Sequence, residues 1–270
     1  MEELRQRIIP IFAIVIFDFV FFFAFGFASA TIGGVSFVYP YPTMDNPTSA
    51  LVFRKVVSDL VPTMVNGQPV IVYASLTGGM TTLFYVSAFL AVVFSMPLIV
   101  YELWAFLAPA LHSNEEKMIM KMVIPAIGLF IMGCLFAYLL LLPFTINFLI
   151  GVVLSIGSSP LITVDDLVGF ILLFTLAFGV VFELPIIMAG ITRLGVIEPV
   201  FWKENWRWAF IGAILFGGLI TPDGSGITQL MVAIPMMILY AIGYLVSKRM
   251  VSKKLRKSIN IGDVNRVNTK

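Results

Sequence analysis

Six apolar runs decide what this chain can fold into. They are read at roughly 8–30, 84–107, 118–142, 167–191, 208–220 and 227–246. A bilayer's hydrocarbon core is about 30 Å thick and a helix rises about 1.5 Å per residue, so the first four suit transmembrane helices. Composition agrees: 60% of residues are hydrophobic, 12% are charged, and mean hydropathy is +1.02, far from soluble-domain values. The expected fold class is an all-α membrane protein of six transmembrane helices. One membrane domain spans 1–246, and a basic tail covers 247–270. The first run is too long for a signal-peptide core and lacks a small-residue cleavage site, so it reads as a retained span.

Basic residues set the expected orientation. Arg5 and Arg7 precede the first run, Lys117 and Lys121 follow the second, and Arg193, Lys203 and Arg207 lie between the fourth and fifth. A further eight close the chain, so 15 of 17 fall on one side and only Arg54 and Lys55 on the other. The positive-inside rule then places both termini in the cytoplasm, as an even number of spans requires. The tail after Ser247 reads as a disordered basic anchor near anionic lipid. The single Cys134 lies in the third run and can form no intrachain disulfide.

The longest outward loop, about 31–79, places Leu51, Val52, Val56, Leu60 and Val61 on one helical face over 48–61, opposite Arg54, Lys55 and Asp59. An amphipathic cap on the outer surface is expected there. Spans five and six look short, the fifth only about 20 Å of helix. Local bilayer thinning or snorkelling flanks would make up the difference. Prolines at 97, 125, 185 and 235 each remove a helical donor, and Pro185 should free the carbonyl of Val181.

Carboxyls inside apolar runs are costly and tend to persist where they act. Glu183 has no Lys or Arg in its run to pair with, and Asp18 lies about 15 Å into the first span at helical rise. Glu183 reads as a largely neutral, hydrogen-bonding docking point; Asp18 reads either as a partner contact or as a polar group satisfied within the bundle. Catalysis has no support: the single His112 has no metal-ligand cluster or nucleophile elbow around it. No catalytic residue, metal site, cofactor or nucleic-acid partner is expected. An ion-coupled secondary transporter using Glu183 is the alternative function, because intramembrane acids mark such proteins.

The first cytoplasmic loop, running from Pro97 past Trp104 and Phe106 to Glu115, Glu116 and Lys117, sets acids beside aromatics. Glu2 and Glu3 stand at the N-terminus. Carboxylates on such a platform suit paired guanidinium groups, each able to make two parallel hydrogen bonds.

Several separated motifs together resemble the TatC family, the multispanning subunit of the twin-arginine protein translocase. They are Glu3-Leu4-Arg5-x-Arg7; Pro97…Trp104-Ala-Phe106-x-Ala-Pro109-Ala-Leu111…Glu115; Phe136-Ala-Tyr138…Pro143-Phe144; Phe178-Gly179-Val180-x-Phe182-Glu183-x-Pro185; and Thr221-Pro222-Asp223…Gln229 with Ile234-Pro235-Met236. The resemblance implies a multi-pass protein of a prokaryotic plasma membrane that recognises twin-arginine signal peptides of folded cargo proteins. It also implies recruitment of TatA/TatB-like single-span subunits, self-association, and export driven by the proton-motive force. Glu3, Arg5, Phe106, Glu115 and Glu102 would form the signal-peptide site. Glu183 and Gln229 would meet partner helices or the inserted signal. Glu102 stands where bacterial relatives carry an amide and Glu116 where they carry a basic residue, which implies a more acidic site. Asp18 has no counterpart in the pattern, and the turn after Asp223 is one residue longer.

Overall fold

The computed structural model describes residues 2–32, 35–43, 47–61, 64–65, 68–69, 71–73, 75–107, 116–158, 160–221 and 226–267. Among the described residues, five helical stretches are long and apolar enough to cross a membrane: Gln6–Ala24, Gly78–Leu103, Met122–Ser155, Val164–Arg193 and Gly226–Val251. Trp206–Ile220 is a shorter apolar helix. The chain divides into two compact units, Met1–Leu107 with Cys134–Phe178, and Ala108–Gly133 with Gly179–Lys270.

The first unit opens with α1 (Glu2–Ala24), a hairpin of β1 (Phe25–Ile32) and β2 (Val35–Pro42), and α2 (Thr48–Leu60). The two-residue strands β3 (Met64–Val65), β4 (Gln68–Pro69) and β5 (Ile71–Val72) lead into α3 (Gly78–Leu107). The first span thus ends six residues earlier than the apolar run. Phe25–Ile32 is apolar but carries Gly26 and the β-branched Thr31 and Ile32, and it pairs antiparallel with Val35–Pro42 from Phe25↔Pro42 to Ile32↔Val35. Hydropathy alone does not separate such a strand from a helix end.

The third span also differs from its expected end at Leu142. Helix α4 (Glu116–Phe136) passes through a π-helical turn, Ala137–Leu141, into α5 (Leu142–Ser155). Pro143 has no N–H to give the carbonyl of Leu139, and the amide of Leu142 bonds instead to Ala137, five residues back. A proline in the first turn of α5 therefore shifts the register without ending the span. Next come β6 (Ile162–Thr163), parallel to β5, and α6 (Val164–Val181).

The core of this unit gathers Phe22 of α1, Val86 and Leu90 of α3, and Val164, Val168 and Leu172 of α6, the last five at i, i+4 spacing. Val52 and Phe53 of α2 pack onto it, so the amphipathic cap is present, although Leu51 is exposed. Rings reinforce the seam between α1 and α3: Phe19 meets Phe84 edge-on at 4.7 Å and Phe22 meets Phe94 at 4.9 Å.

In the second unit, α7 (Leu184–Arg193), α8 (Pro199–Glu204) and α9 (Trp206–Ile220) precede α10 (Gly226–Val267). Glycines bring these helices together. A Cβ on Gly217 would lie 2.9 Å from the carbonyl oxygen of Gln229, and one on Gly243 would lie 3.1 Å from Cα of Pro185. Such close approach is what small residues supply where lipid gives no hydrophobic drive between helices. Helix α7 closes on Gly195 at φ +76°, with the Gly195 and Val196 amides bonded back to Thr192 and Ile191, the paired pattern of a left-handed helix end. Indole Nε1 of Trp202 donates to Thr192 Oγ1 at 2.9 Å, and the Tyr240 hydroxyl donates to the Trp202 carbonyl at 2.6 Å, tying α8 to α7 and α10.

Span six is not short. The apolar part of α10 covers 26 residues, and the helix continues to Val267 where a disordered tail was expected. Lys and Arg are good helix formers with long stems, so Lys248 and Arg249 extend the helix without capping it. The fifth helix is short, as expected.

Candidate functional site

Helices α1 and α3 run antiparallel, since their cross-links step up one sequence and down the other. At one end Arg7 meets Glu102; deeper, Asp18 meets Ser95. Arg7 Nη1 donates to Glu102 Oε2 at 3.2 Å, the side chains being 29% and 16% exposed. An arginine–carboxylate pair at its best makes two parallel bonds of about 2.7–2.9 Å. Here a single longer bond forms, and Arg7 Nε is buried with no hydrogen-bond partner among the described residues. The sequence implies that Glu102 adds net negative charge to the loop. Arg7 is the cation that lies against that carboxylate.

Glu3 and Arg5 belong to the first turns of α1, Glu3 one turn before Arg7; Phe106 falls one turn after Glu102 on α3. The side chains of all three lie outside the described residues, as does Glu115 entirely.

Asp18 is satisfied inside the bundle. Ser95 Oγ donates to its Oδ2 at 2.9 Å, with Ser95 itself buried. Hydrogen bonds of this kind between membrane helices contribute about 0.6 kcal/mol on average and up to about 1.7.

Glu183 sits where the fourth span breaks. Helix α6 stops at Val181 and α7 starts at Leu184 with Pro185 in its first turn. Pro185 brings no N–H to Val181, as the sequence predicts. Pro97, Pro125 and Pro235, by contrast, stay inside unbroken helices. The Glu183 backbone carbonyl accepts the amides of Ile186 and Ile187, but its side chain makes no cap. The residue is 7% exposed, and Oε1 has no hydrogen-bond partner among the described residues. An orphaned buried polar atom of this kind costs about 1–3 kcal/mol.

Gln229, also in the second unit, is half-buried. Its amide lies against Gly218, where a Cβ would come within 2.9 Å of Nε2. The glycine pair thus fixes both the backbone and the side chain of Gln229.

Outside the spans, Lys55 Nζ bonds Asp59 Oδ1 at 2.8 Å and the Tyr138 hydroxyl donates to Asp59 Oδ2 at 3.0 Å. The Lys55 hydrogen bond, chiefly, holds the Asp59 carboxyl below its ordinary range. Burial pushes the Tyr73 phenol up, helped by the charge of Asp165, which accepts a bond from Thr82 at 3.0 Å. Asp166 and Thr163 cap α6 reciprocally. Of these bonds, the one from Tyr138 to Asp59 ties α2 to the π-helical turn.

Two residues escaped sequence reasoning as site elements: Arg7, read as a topological charge and as the last residue of the N-terminal motif, and Ser95, an ordinary serine in an apolar run. Their partners lie 95 and 77 residues away, and no local pattern announces either.

Comparison with known proteins places these features. The family described as "Sec-independent protein translocase protein (TatC)" matches residues 1–235. A Sec-independent protein translocase protein TatC from Cenarchaeum symbiosum (strain A) is 35% identical over 249 residues, 92% of this chain and 93% of that relative. TatCy of Bacillus subtilis (strain 168) is 32% identical over 175 residues, 65% of this chain and 68% of that relative. The crystal structure of a "Twin Arginine Translocase Receptor- TatC" superposes with a TM-score of 0.72 at 27% identity, covering 92% of this chain and 97% of that one.

Proposed function

Because this chain belongs to the TatC family of Sec-independent protein translocase components, we propose that it receives twin-arginine signal peptides at its cytoplasmic face and recruits single-span partners for export. The family assignment sets aside the ion-coupled transporter. The observation that carries the reading is the near full-length likeness to a translocase receptor, 92% of this chain against 97% of that one. In this reading both termini are cytoplasmic and the membrane is the plasma membrane of a prokaryote. Glu3 and Glu115 are the principal acids for the two signal arginines, with Arg5 and Phe106 beside them and Glu102 as a further carboxylate. Planar guanidinium groups match carboxylates two bonds at a time, which is why lysine is a poor substitute.

Glu183 serves in this reading as an intramembrane polar contact for a partner helix or the inserted signal, with Gln229 on a partner-binding face. The unpaired Oε1 supports that role. Glu183→Gln should keep export, since an amide still hydrogen-bonds, while Glu183→Leu should lose it; complete loss in Glu183→Gln with normal accumulation would refute the docking role.

The deciding experiment is photo-crosslinking of a twin-arginine signal peptide to the purified protein in detergent or vesicles. Crosslinking should disappear when both signal arginines become lysine, and when Glu3 and Glu115 become alanine. Equal crosslinking by the lysine peptide would sink the proposal.

A further inference from the structure

Arg7 is a guanidinium of the chain's own, seated on a carboxylate of the face that receives guanidinium ligands. We infer that the Arg7–Glu102 pair is an internal competitor: Arg7 holds Glu102 in the resting protein, and an arginine of the incoming signal displaces it. The inference rests on the reading of that face as the signal-peptide site.

The geometry favours exchange. Arg7 uses one N–H of its fork, at 3.2 Å, and leaves Nε buried without a hydrogen-bond partner among the described residues. An incoming guanidinium that lies flat on Glu102 makes two bonds where Arg7 makes one. Released, Arg7 can turn its whole fork to water, which satisfies the stranded Nε. The resting pair therefore leaves a guanidinium nitrogen unsatisfied, and the two-bond competitor wins. A lysine ammonium offers a point charge and no fork, so it gains little by replacing Arg7. The internal arginine thereby raises the threshold for binding by the same factor for either peptide, and the preference for arginine comes from the two-bond fit to Glu102 itself.

Placement supports a role beyond joining two helices. The seam between α1 and α3 already has Asp18–Ser95, the Phe19–Phe84 and Phe22–Phe94 ring contacts and a shared core at Phe22, Val86 and Leu90. The Arg7–Glu102 pair sits beyond these, near the open end of the seam and partly exposed to solvent. Breaking it leaves the deeper contacts in place.

The test is equilibrium binding of a fluorescent twin-arginine signal peptide, and of its twin-lysine counterpart, to the full-length protein in detergent at low salt. Arg7→Gln frees Glu102 and should tighten the arginine and the lysine peptide alike, by about fivefold each. Glu102→Gln should weaken the arginine peptide, and the double variant should match Glu102→Gln alone. Raising the salt should shrink the Arg7→Gln effect. Arg7→Lys should move in the same direction as Arg7→Gln by a smaller factor, and it answers the question should Arg7→Gln fail to accumulate. Unchanged or weaker binding in both Arg7 variants, with thermal melting near that of the parent, overturns the competitor and leaves the receptor reading intact. Failure of the unsubstituted protein to prefer the arginine peptide overturns both.

Discussion

Helices α1 and α3 of the first unit meet through phenylalanine rings and a carboxylate–hydroxyl bond, whereas α7, α9 and α10 of the second meet through glycines pressed against backbone. Both solve one problem. Between helices in lipid the hydrophobic effect is nearly silent, so packing contacts and buried polar bonds must supply the attraction. Rings fill space and tolerate small shifts, while a polar bond fixes register at one point. Glycine packing fixes distance everywhere along the contact and tolerates no added atom. The first unit is therefore expected to absorb substitutions at its seam, and the second to resist them.

Gly217→Val tests the strict half of that contrast. Its Cβ would fall 2.9 Å from the Gln229 carbonyl, on rigid backbone, so α9 and α10 must separate. The expected loss is about 3 kcal/mol, near the top of the overpacking range, read as a lowered melting temperature in detergent. A loss under about 1 kcal/mol would break the comparison.

Ser95→Ala probes the tolerant half. It strands Asp18 without its donor and should cost about 1–2 kcal/mol. Adding Asp18→Ala should recover part of that, and a double-mutant cycle should return a coupling of about 1 kcal/mol. Strict additivity would mean that the bond contributes nothing to the seam.

Gly218→Ala sharpens the glycine rule. Its Cβ would meet the end of a flexible side chain, Gln229 Nε2 at 2.9 Å, and not backbone. It should cost less than Gly217→Ala in the same melt, with the Gln229 amide pushed aside. Equal costs would show that side chain and backbone obstruct alike.

The smallest effect belongs to Asp59 on the α2 cap. Its carboxyl is held below the ordinary range by Lys55, so the contribution to stability is fully present above the unfolded value and fades as pH falls through the depressed folded one. The melting difference between the parent and Asp59→Asn should accordingly close in strong acid and at high salt. A difference that persists there would point to packing in place of charge.

Much of the architecture was legible because apolar length is a strong signal, and the freed Val181 carbonyl was legible because Pro185 has no N–H, although the same chemistry leaves Pro97, Pro125 and Pro235 inside unbroken helices. The ends of spans were harder. Phe25–Ile32 is as apolar as the helix before it, and only its partner strand decides that it is extended. Pro143 looks like a stop, but the helix absorbs it by changing hydrogen-bond register. The last helix outruns its apolar stretch because lysine and arginine continue a helix as readily as they mark a membrane boundary. Asp18 could be identified as an acid within a span, but Ser95 could not be identified as its donor. Arg7 was hidden in plain view, since its charge was already explained by topology.

The π-helical turn at Ala137–Leu141 has a mechanical meaning of its own. One surplus residue in a turn rotates everything after it by about 100° relative to an unbroken helix. Tyr138 lies within that turn and reaches Asp59 of the α2 cap. The residues before and after the turn thus follow separate angular phases. A single apolar rod carries two differently aimed faces, with Tyr138 at the point where the phase slips.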